Sequence, residues 1–402
     1  MFLSQKSENN ERIGIVAKLL ALYFVMMPLD SIDFFGLGSL LKVIALLPIL
    51  AILIYGRQNK YTINKLTGSL IIYTLIISVS YLYSIDLILS QSAVIRLCLN
   101  MTLIIFAGKI YDEYNDSEYK FLTKALVVGG FLNIILTFIF SNTVKDGRLT
   151  LAVAGSRQDP NYLNGYSLFA LAYFSNLLFK EKKIWALFPI LIIFVFTLST
   201  GSRGALLASL SLVFVVVFYL YVIKHNVNPA TIMIVAIIFV IVMIFGESIL
   251  TLVAPRVLAR YTLEYVENYR GLNRTDLWFN LLDVYAQSSF FRQLFGYGVN
   301  TVWIVETLSN NVAHNVWLEH LIANGLVGMI SLIIMQWLFF RTALRTKDLV
   351  LISTYVAMMA MCFTLSLVSY KPIWNTMIMI MIADRRRYKS LNNNLNSEVT
   401  GE

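Results

Sequence analysis

Arginine side chains stand in short polar segments between apolar runs, where they could bind an anion. Arg203 lies in STGSRGALL, Arg148 and Arg157 flank LTLAVAGS, and Arg274 opens RTDLW. A guanidinium presents a planar fork of N–H donors that can form two hydrogen bonds with one phosphate or carboxylate. These residues could therefore bind an anionic ligand, although a basic side chain at a helix end can also snorkel to lipid phosphates.

His314 is one of only 3 histidines in the chain, and with Asn315 it stands at the entrance to an apolar segment. A histidine with a pKa near about 6.5 is mostly neutral at pH 7 and can accept a proton. His314 could instead cap the helix or bind an anion, and Asn315 could orient the ring or cap the helix. His320 and Glu319 lie on other helical faces, so we expect neither a zinc pair with His314 nor a catalytic acid. We expect no metal and no cofactor.

The composition predicts an integral membrane protein. The 402 residues are 58% hydrophobic and 14% charged, against roughly 25% charged in ordinary soluble domains. Apolar runs bounded by charge give about twelve candidate transmembrane helices. Residues 231–245 form the ninth, and residues 373–383 form a short last one. We therefore predict an all-α polytopic protein with one transmembrane domain over residues 1–402, and no nucleic-acid partner.

The distribution of Lys and Arg predicts the topology, because basic residues in short loops stay in the cytoplasm. With both termini cytoplasmic, the alternation of loops is unbroken, and the outer basic residues are mostly arginine. Two long outer segments result, residues 141–161 and a partly helical loop at 248–313 between the ninth and tenth helices. The tail 388–402 is expected to be cytoplasmic and disordered. Lys42, Arg96 and Lys371 fall near outer helix ends, and the first two are expected to snorkel.

Three segments together resemble the O-antigen ligase and polymerase superfamily. They are RLTLAVAGSRQDPNYLNGYSLFALA (148–172), LSTGSRGALLASL (198–210), and NRTDLWFNLLDVY with FGYGVN and AHNVWLEHLIANGLVG (273–328). The resemblance implies a GT-C-like bacterial membrane glycosyltransferase, metal-independent and inverting. Its site would face outward from the cytoplasmic (inner) membrane. Its donor would be a glycan on undecaprenyl diphosphate.

The same resemblance implies roles for individual residues. His314 matches the histidine suggested to deprotonate the acceptor hydroxyl, and Arg203 matches an arginine that binds the diphosphate and offsets charge on the leaving group. Arg274 could instead pair with Asp276 or Glu267, and Asp159 could cap a helix that begins with a proline. The predicted substrate-binding residues are Arg274, Arg157, Arg148, Asn315, Asp159 and Asn161, although Arg148 and Arg157 could equally be solvated loop charges.

Three functions fit these features to different degrees, and the polymerase branch of the superfamily is favoured. A polymerase of O-antigen or capsule repeat units would transfer the growing glycan to the next lipid-linked repeat. A ligase would transfer it to lipid A core in lipopolysaccharide synthesis. A transporter or flippase fits less well, because transporters place ionisable residues at mid-membrane, whereas here they crowd the outer surface. The expected partners are the lipid-linked donor and acceptor and membrane lipids, with a chain-length regulator and a flippase as further candidates.

Overall fold

In a computed structural model, the described residues are 13–31, 39–55, 64–111, 114–143, 148–153, 156–224, 274–305, 313–366 and 370–400, with three single residues at 233, 251 and 257. Their regular elements are mostly helices. The helices are α1 Ile15–Val25, α2 Leu40–Tyr55, α3 Lys65–Val79, α4 Leu87–Ile105, α5 Asp116–Ile139, α6 Pro160–Leu163, α7 Gly165–Phe179, α8 Leu187–Ser199, α9 Arg203–Phe218, α10 Arg274–Gln287, α11 Phe290–Phe295, α12 Val316–Thr346, α13 Leu349–Cys362 and α14 Lys371–Thr400.

The described helices are those of a membrane protein. Five helical stretches are long and apolar enough to cross a membrane, and four shorter apolar helices accompany them. Large apolar side chains such as Leu53, Leu75 and Phe214 point outward and are more than half exposed. Hydrocarbon can solvate such side chains, and helices satisfy their own backbone hydrogen bonds there. The stretches are Lys65–Tyr83, Leu87–Ile110, Asp116–Ile139, Arg203–Val222 and Val316–Thr346, with Ile15–Val25, Leu40–Tyr55, Ile184–Ser199 and Leu349–Cys362 as the shorter ones.

A mostly helical membrane fold is thus confirmed, while the number of membrane crossings stays a prediction. Each expected span except the ninth overlaps a helix, and the ninth, at 231–245, lies almost wholly outside the described residues. The short last span belongs to the longer helix Lys371–Thr400, which also includes most of the tail that we expected to be disordered. A helix that is already nucleated extends at little cost, which gives the polar sequence a reason to continue it.

Contacts between helix ends sort the loops into two groups. At one end, Tyr119 donates a hydrogen bond to Asp348 Oδ2 at 2.6 Å, and Arg345 pairs with Asp384 at 2.7 Å. These residues belong to loops that the Lys and Arg pattern assigns to the cytoplasm. At the other end, the polar segments around His314 meet one another. The contacts support the alternation of loops, and the side that faces the cytoplasm stays a prediction.

A small antiparallel sheet lies within residues 141–161, the first of the two long segments predicted to face outward. Strands β1 (Ser141–Thr143), β2 (Leu149–Val153) and β3 (Ser156–Arg157) follow the order β1-β2-β3. Leu151 pairs with Ser141 on one side of β2, and Ala152 pairs with Arg157 on the other. The sheet connects α5 to α6, so it sets where residues 148–161 lie relative to the helix ends.

Helix α12 contains a break that receives the glycine loop after α11. Gly325 has φ 63° and ψ −169°, a backbone conformation that is essentially confined to glycine. Backbone N–H groups of Tyr297 and Gly298 donate to Ile322 O at 3.0 Å and Ala323 O at 2.8 Å, carbonyls that precede the break. A Cβ on Gly325 would lie 2.3 Å from the carbonyl carbon of Leu294. The two backbones therefore pack directly, which holds residues 294–298 against α12.

Candidate active site

The loop between α8 and α9 places Arg203 at the first residue of a helix. Gly201 makes the turn with φ 63°, and the Ser202 hydroxyl caps α9 by accepting from the backbone N–H of Ala205 at 3.3 Å. Arg203 is half-buried, and it forms no hydrogen bond or ion pair with the residues that the structure describes. Its guanidinium therefore keeps its donors for another partner.

Arg148 fastens the sheet segment to this loop. Its Nε donates to Thr200 O at 2.9 Å, and its Nη2 donates to Asn161 Oδ1 at 2.7 Å. Asp159 Oδ1 accepts from the backbone N–H of Asn161 at 2.8 Å, so Asp159 caps α6 with Pro160 at the first turn, one of the two roles expected for it. Arg148 and Asn161 are thus joined to each other and to the turn before Arg203.

Arg274 approaches the same region from the large loop. Its Nη1 donates to Thr364 O at 3.3 Å, just after α13. A Cβ on Gly204 would lie 2.3 Å from Thr364 Oγ1, so the start of α9 packs against that same residue. The structure shows no ion pair between Arg274 and Asp276, and Glu267, the other expected partner, lies outside the described residues. Arg274 and the start of α9, where Arg203 lies, therefore both contact Thr364.

His314 lies at the centre of these charges. It has a left-handed backbone with φ 50°, which costs a non-glycine residue about 1–2 kcal/mol and is typical of functional positions. Its Nδ1 is buried without a hydrogen-bond partner among the described residues. Burial lowers the pKa of the imidazole below its usual value, with Arg274 and Arg148 lowering it further and Asp159 opposing them. The ring is therefore neutral near pH 7, which is the form that can accept a proton.

Neighbours of His314 hold the residue in place. Asn315 caps α12, because its Oδ1 accepts from the backbone N–H groups of Trp317 at 3.0 Å and Leu318 at 3.2 Å. This is the capping role that we considered for Asn315. The indole of Trp278 donates to Ala313 O at 2.9 Å, which ties α10 to the residue before His314. The position of His314 is thus set from both sides.

His320 has a different environment. Its Nε2 lies 2.8 Å from the Tyr73 hydroxyl, and its Nδ1 lies 3.0 Å from Val316 O. The carbonyl can only accept, so Nδ1 carries the proton and Nε2 accepts from Tyr73. His320 is a satisfied core residue. Within the described part of the chain, no group of three His, Cys, Asp or Glu side chains is arranged to hold a metal ion.

Two further polar groups border the site and were not predicted as site residues. Tyr162 donates to Ser366 O at 2.8 Å, and Glu319, Asp159 and Arg274 are the charged groups that act on its hydroxyl. Glu319 Oε2 is inaccessible to solvent and has no hydrogen-bond partner in the described chain. The sequence showed Glu319 only as a helical residue on another face from His314. The sequence signal that could have indicated Glu319 as a site residue was its acidic side chain in the first turn of an apolar helix.

Most of the predicted site residues lie close together, and the side chain of Arg157 lies outside the described part of the structure. Arg148, Asp159 and Arg274 act electrostatically on His314, and Arg203 begins the helix after the turn that Arg148 contacts. Arg157 lies on β3, paired with Ala152 of β2, and only its backbone is described. The arrangement supplies a neutral imidazole, several guanidinium groups and a carboxylate at one end of a helical bundle, which suits anion binding combined with proton transfer.

Comparisons with known proteins do not assign a family to this chain. No family model matches the sequence, and no curated protein matches it. One solved chain, from a structure on the coordination of polymerization and crosslinking by a peptidoglycan synthase complex, is 16% identical with a TM-score of 0.46. The alignment covers 82% of this chain and 99% of that one.

Proposed function

We propose that this protein is a metal-independent, inverting glycosyltransferase that polymerises polysaccharide repeat units. It transfers a growing O-antigen or capsule glycan from undecaprenyl diphosphate to the next lipid-linked repeat, on the outer face of the bacterial cytoplasmic membrane. The observation that carries the proposal is the convergence of Arg148, Arg274 and Asp159 on a half-buried, neutral His314. Arg203, which has no partner among the described residues, follows the turn that Arg148 contacts.

The reaction follows from this set of groups. The imidazole of His314 takes the proton of the acceptor hydroxyl as its oxygen attacks the anomeric carbon of the donor sugar. The bond from that carbon to the diphosphate oxygen breaks, and its electron pair leaves with the diphosphate. Arg203 and Arg274 offset the charge that grows on the leaving group. A single displacement from the opposite face inverts the anomeric centre.

Arg203 is the residue that best separates diphosphate binding from lipid snorkelling. An Arg203→Lys variant keeps a positive charge but loses the fork that holds two oxygens at once. We expect a strong loss of transfer in this variant. Polymer of normal length would show that a point charge suffices, as in snorkelling to lipid.

The first experiment is a gel of surface polysaccharide from a deletion strain. A single repeat on its normal anchor, without a ladder above it, is expected for a polymerase. Full-length polymer left on undecaprenyl diphosphate, with bare lipid A core, would assign a ligase instead. Complementation with His314→Ala should fail to restore the ladder although the protein is inserted in the membrane, and a restored ladder would contradict the role of His314.

A further inference from the structure

A polar cavity lies beside the His314 site and has no role in the proposed reaction. Its volume is about 340 Å³, and the side chains of Lys42, Arg96 and Lys371 line it together with Asp30 and Asp159. Pockets that bind small molecules commonly measure about 300–1,000 Å³. Lys42 and Lys371 lie in the first turns of α2 and α14, and Arg96 lies in the middle of α4, so distant parts of the chain build the cavity.

Lys371 is the most unusual member of this cavity. The residue is only 4% exposed, and its Nζ donates to Asn100 Oδ1 at 2.5 Å. An ammonium has three donors, and among the described residues Lys371 forms no salt bridge. A buried ammonium in a membrane protein is costly unless it is paired, and such groups usually mark functional sites. Its lining position leaves Lys371 available to a ligand in the cavity.

The other charges leave the cavity positive. Lys42 and Arg96 are half-buried and form no salt bridge in the described part of the chain. The Asp30 carboxylate accepts a hydrogen bond from the Ser39 hydroxyl at 3.3 Å. Lys371, Lys42 and Arg96 attract this carboxylate electrostatically without contacting it. Asp159 lies at the border of the cavity and also acts on His314. Snorkelling, expected for Lys42 and Arg96, does not account for a shared cavity.

The cavity and the His314 site share a wall. Tyr162, Asp159 and Ser366 line the cavity. The same Asp159 acts on His314, and the hydroxyl of Tyr162 is subject to the charge of Arg274. An anion held by Lys371 would thus be bound next to the imidazole but separately from Arg203 and Arg274. A polymerase needs this arrangement, because both of its substrates end in a diphosphate.

We propose that the cavity of Lys42, Arg96 and Lys371 binds the diphosphate of the acceptor, while Arg203 and Arg274 bind that of the donor. This proposal rests on the proposed function. It assigns recognition of the second substrate to residues remote in sequence from the arginine segments. The ligand class is a polyprenyl diphosphate, whose phosphate chemistry is shared with anionic phospholipid headgroups and with free pyrophosphate.

A binding experiment tests the cavity directly. Farnesyl diphosphate, phosphatidylglycerol and pyrophosphate are titrated separately onto the full chain in nanodiscs of neutral lipid. We expect two farnesyl diphosphate sites in the wild type and one in Lys371→Met, with affinity at the lost site reduced about tenfold or more. Lys124→Met, which removes an exposed lysine of α5 at the other end, should keep both sites.

Each other result contradicts the proposal. Two unchanged sites in Lys371→Met and in Lys42→Met would overturn it. Equal binding of phosphatidylglycerol at the lost site would identify an ordinary lipid site, and equal binding of pyrophosphate would identify a free-anion site. If Lys371→Met fails to fold, the half-buried Lys42 and Arg96 are replaced by Met instead. Lys371→Arg, which keeps the positive charge, should still bind two molecules of farnesyl diphosphate.

Kinetics with purified substrates separate this proposal from the proposed function. Lys371→Met should raise the KM for the acceptor about tenfold or more while the KM for the donor stays unchanged. An unchanged acceptor KM, with Arg203→Ala inactive, would refute the acceptor cavity and leave the glycosyltransferase standing. Full activity of Arg203→Ala would refute the proposed function itself.

Discussion

Replacing Arg148 by alanine should destabilise the protein, whereas replacing Arg203 by alanine should not. Arg148 donates two hydrogen bonds, to Thr200 O at 2.9 Å and to Asn161 Oδ1 at 2.7 Å. Hydrogen bonds from a charged donor contribute about 1.5–3 kcal/mol each. Because Arg148 is half-buried, water can replace part of this interaction, so we expect a loss of about 3 kcal/mol in the free energy of unfolding.

Arg203 has no such partner among the described residues, so its removal should change the free energy of unfolding by less than about 0.5 kcal/mol. Its loss should instead lower the rate of transfer by about 10²–10³, the usual effect of removing one group that stabilises a developing charge. Thermal unfolding in detergent, followed by tryptophan fluorescence, and polymer formation from lipid-linked repeats measure the two quantities. A melting loss for Arg203→Ala as large as for Arg148→Ala would refute this division, as would full activity of Arg203→Ala.

Two further predictions concern His314 and the helix break. Arg274→Ala removes a positive charge that lowers the pKa of His314, so the acid limb of the pH–rate profile should move to higher pH; Asp159→Asn removes a negative charge that raises this pKa, so the limb should move to lower pH. Shifts in the same direction would mean that His314 is not the titrating base. Gly325→Ala should cost about 1–3 kcal/mol from its backbone conformation alone, plus the clash with Leu294. Unfolding and transfer assays would measure the lost stability and activity of Gly325→Ala. A fully stable variant would contradict the close packing of Gly325 against Leu294.

Helices and their local caps could be predicted from sequence. An apolar run of about 20 residues in hydrocarbon must satisfy its own backbone hydrogen bonds, and a helix is the simplest way to do so. The caps formed by Asp159 and Asn315 depend on residues two or three positions away, so their local pattern is informative. The break at Gly325 was not predicted, because it depends on the approach of a backbone from residues 294–298.

The composition and the apolar runs are enough to predict a helical membrane protein with arginines and a histidine in its interhelical segments. Three-dimensional packing is what lets Arg148, Asp159 and Arg274 act on His314 and places Lys42, Arg96 and Lys371 around one cavity. A helical pattern specifies which residues share a face of one helix, but the rotation and neighbours of that helix result from packing against all the others. For this reason the sequence predicts only that Lys42 and Arg96 snorkel and that Lys371 lies in an outer loop, whereas the fold places all three around one cavity and buries Lys371.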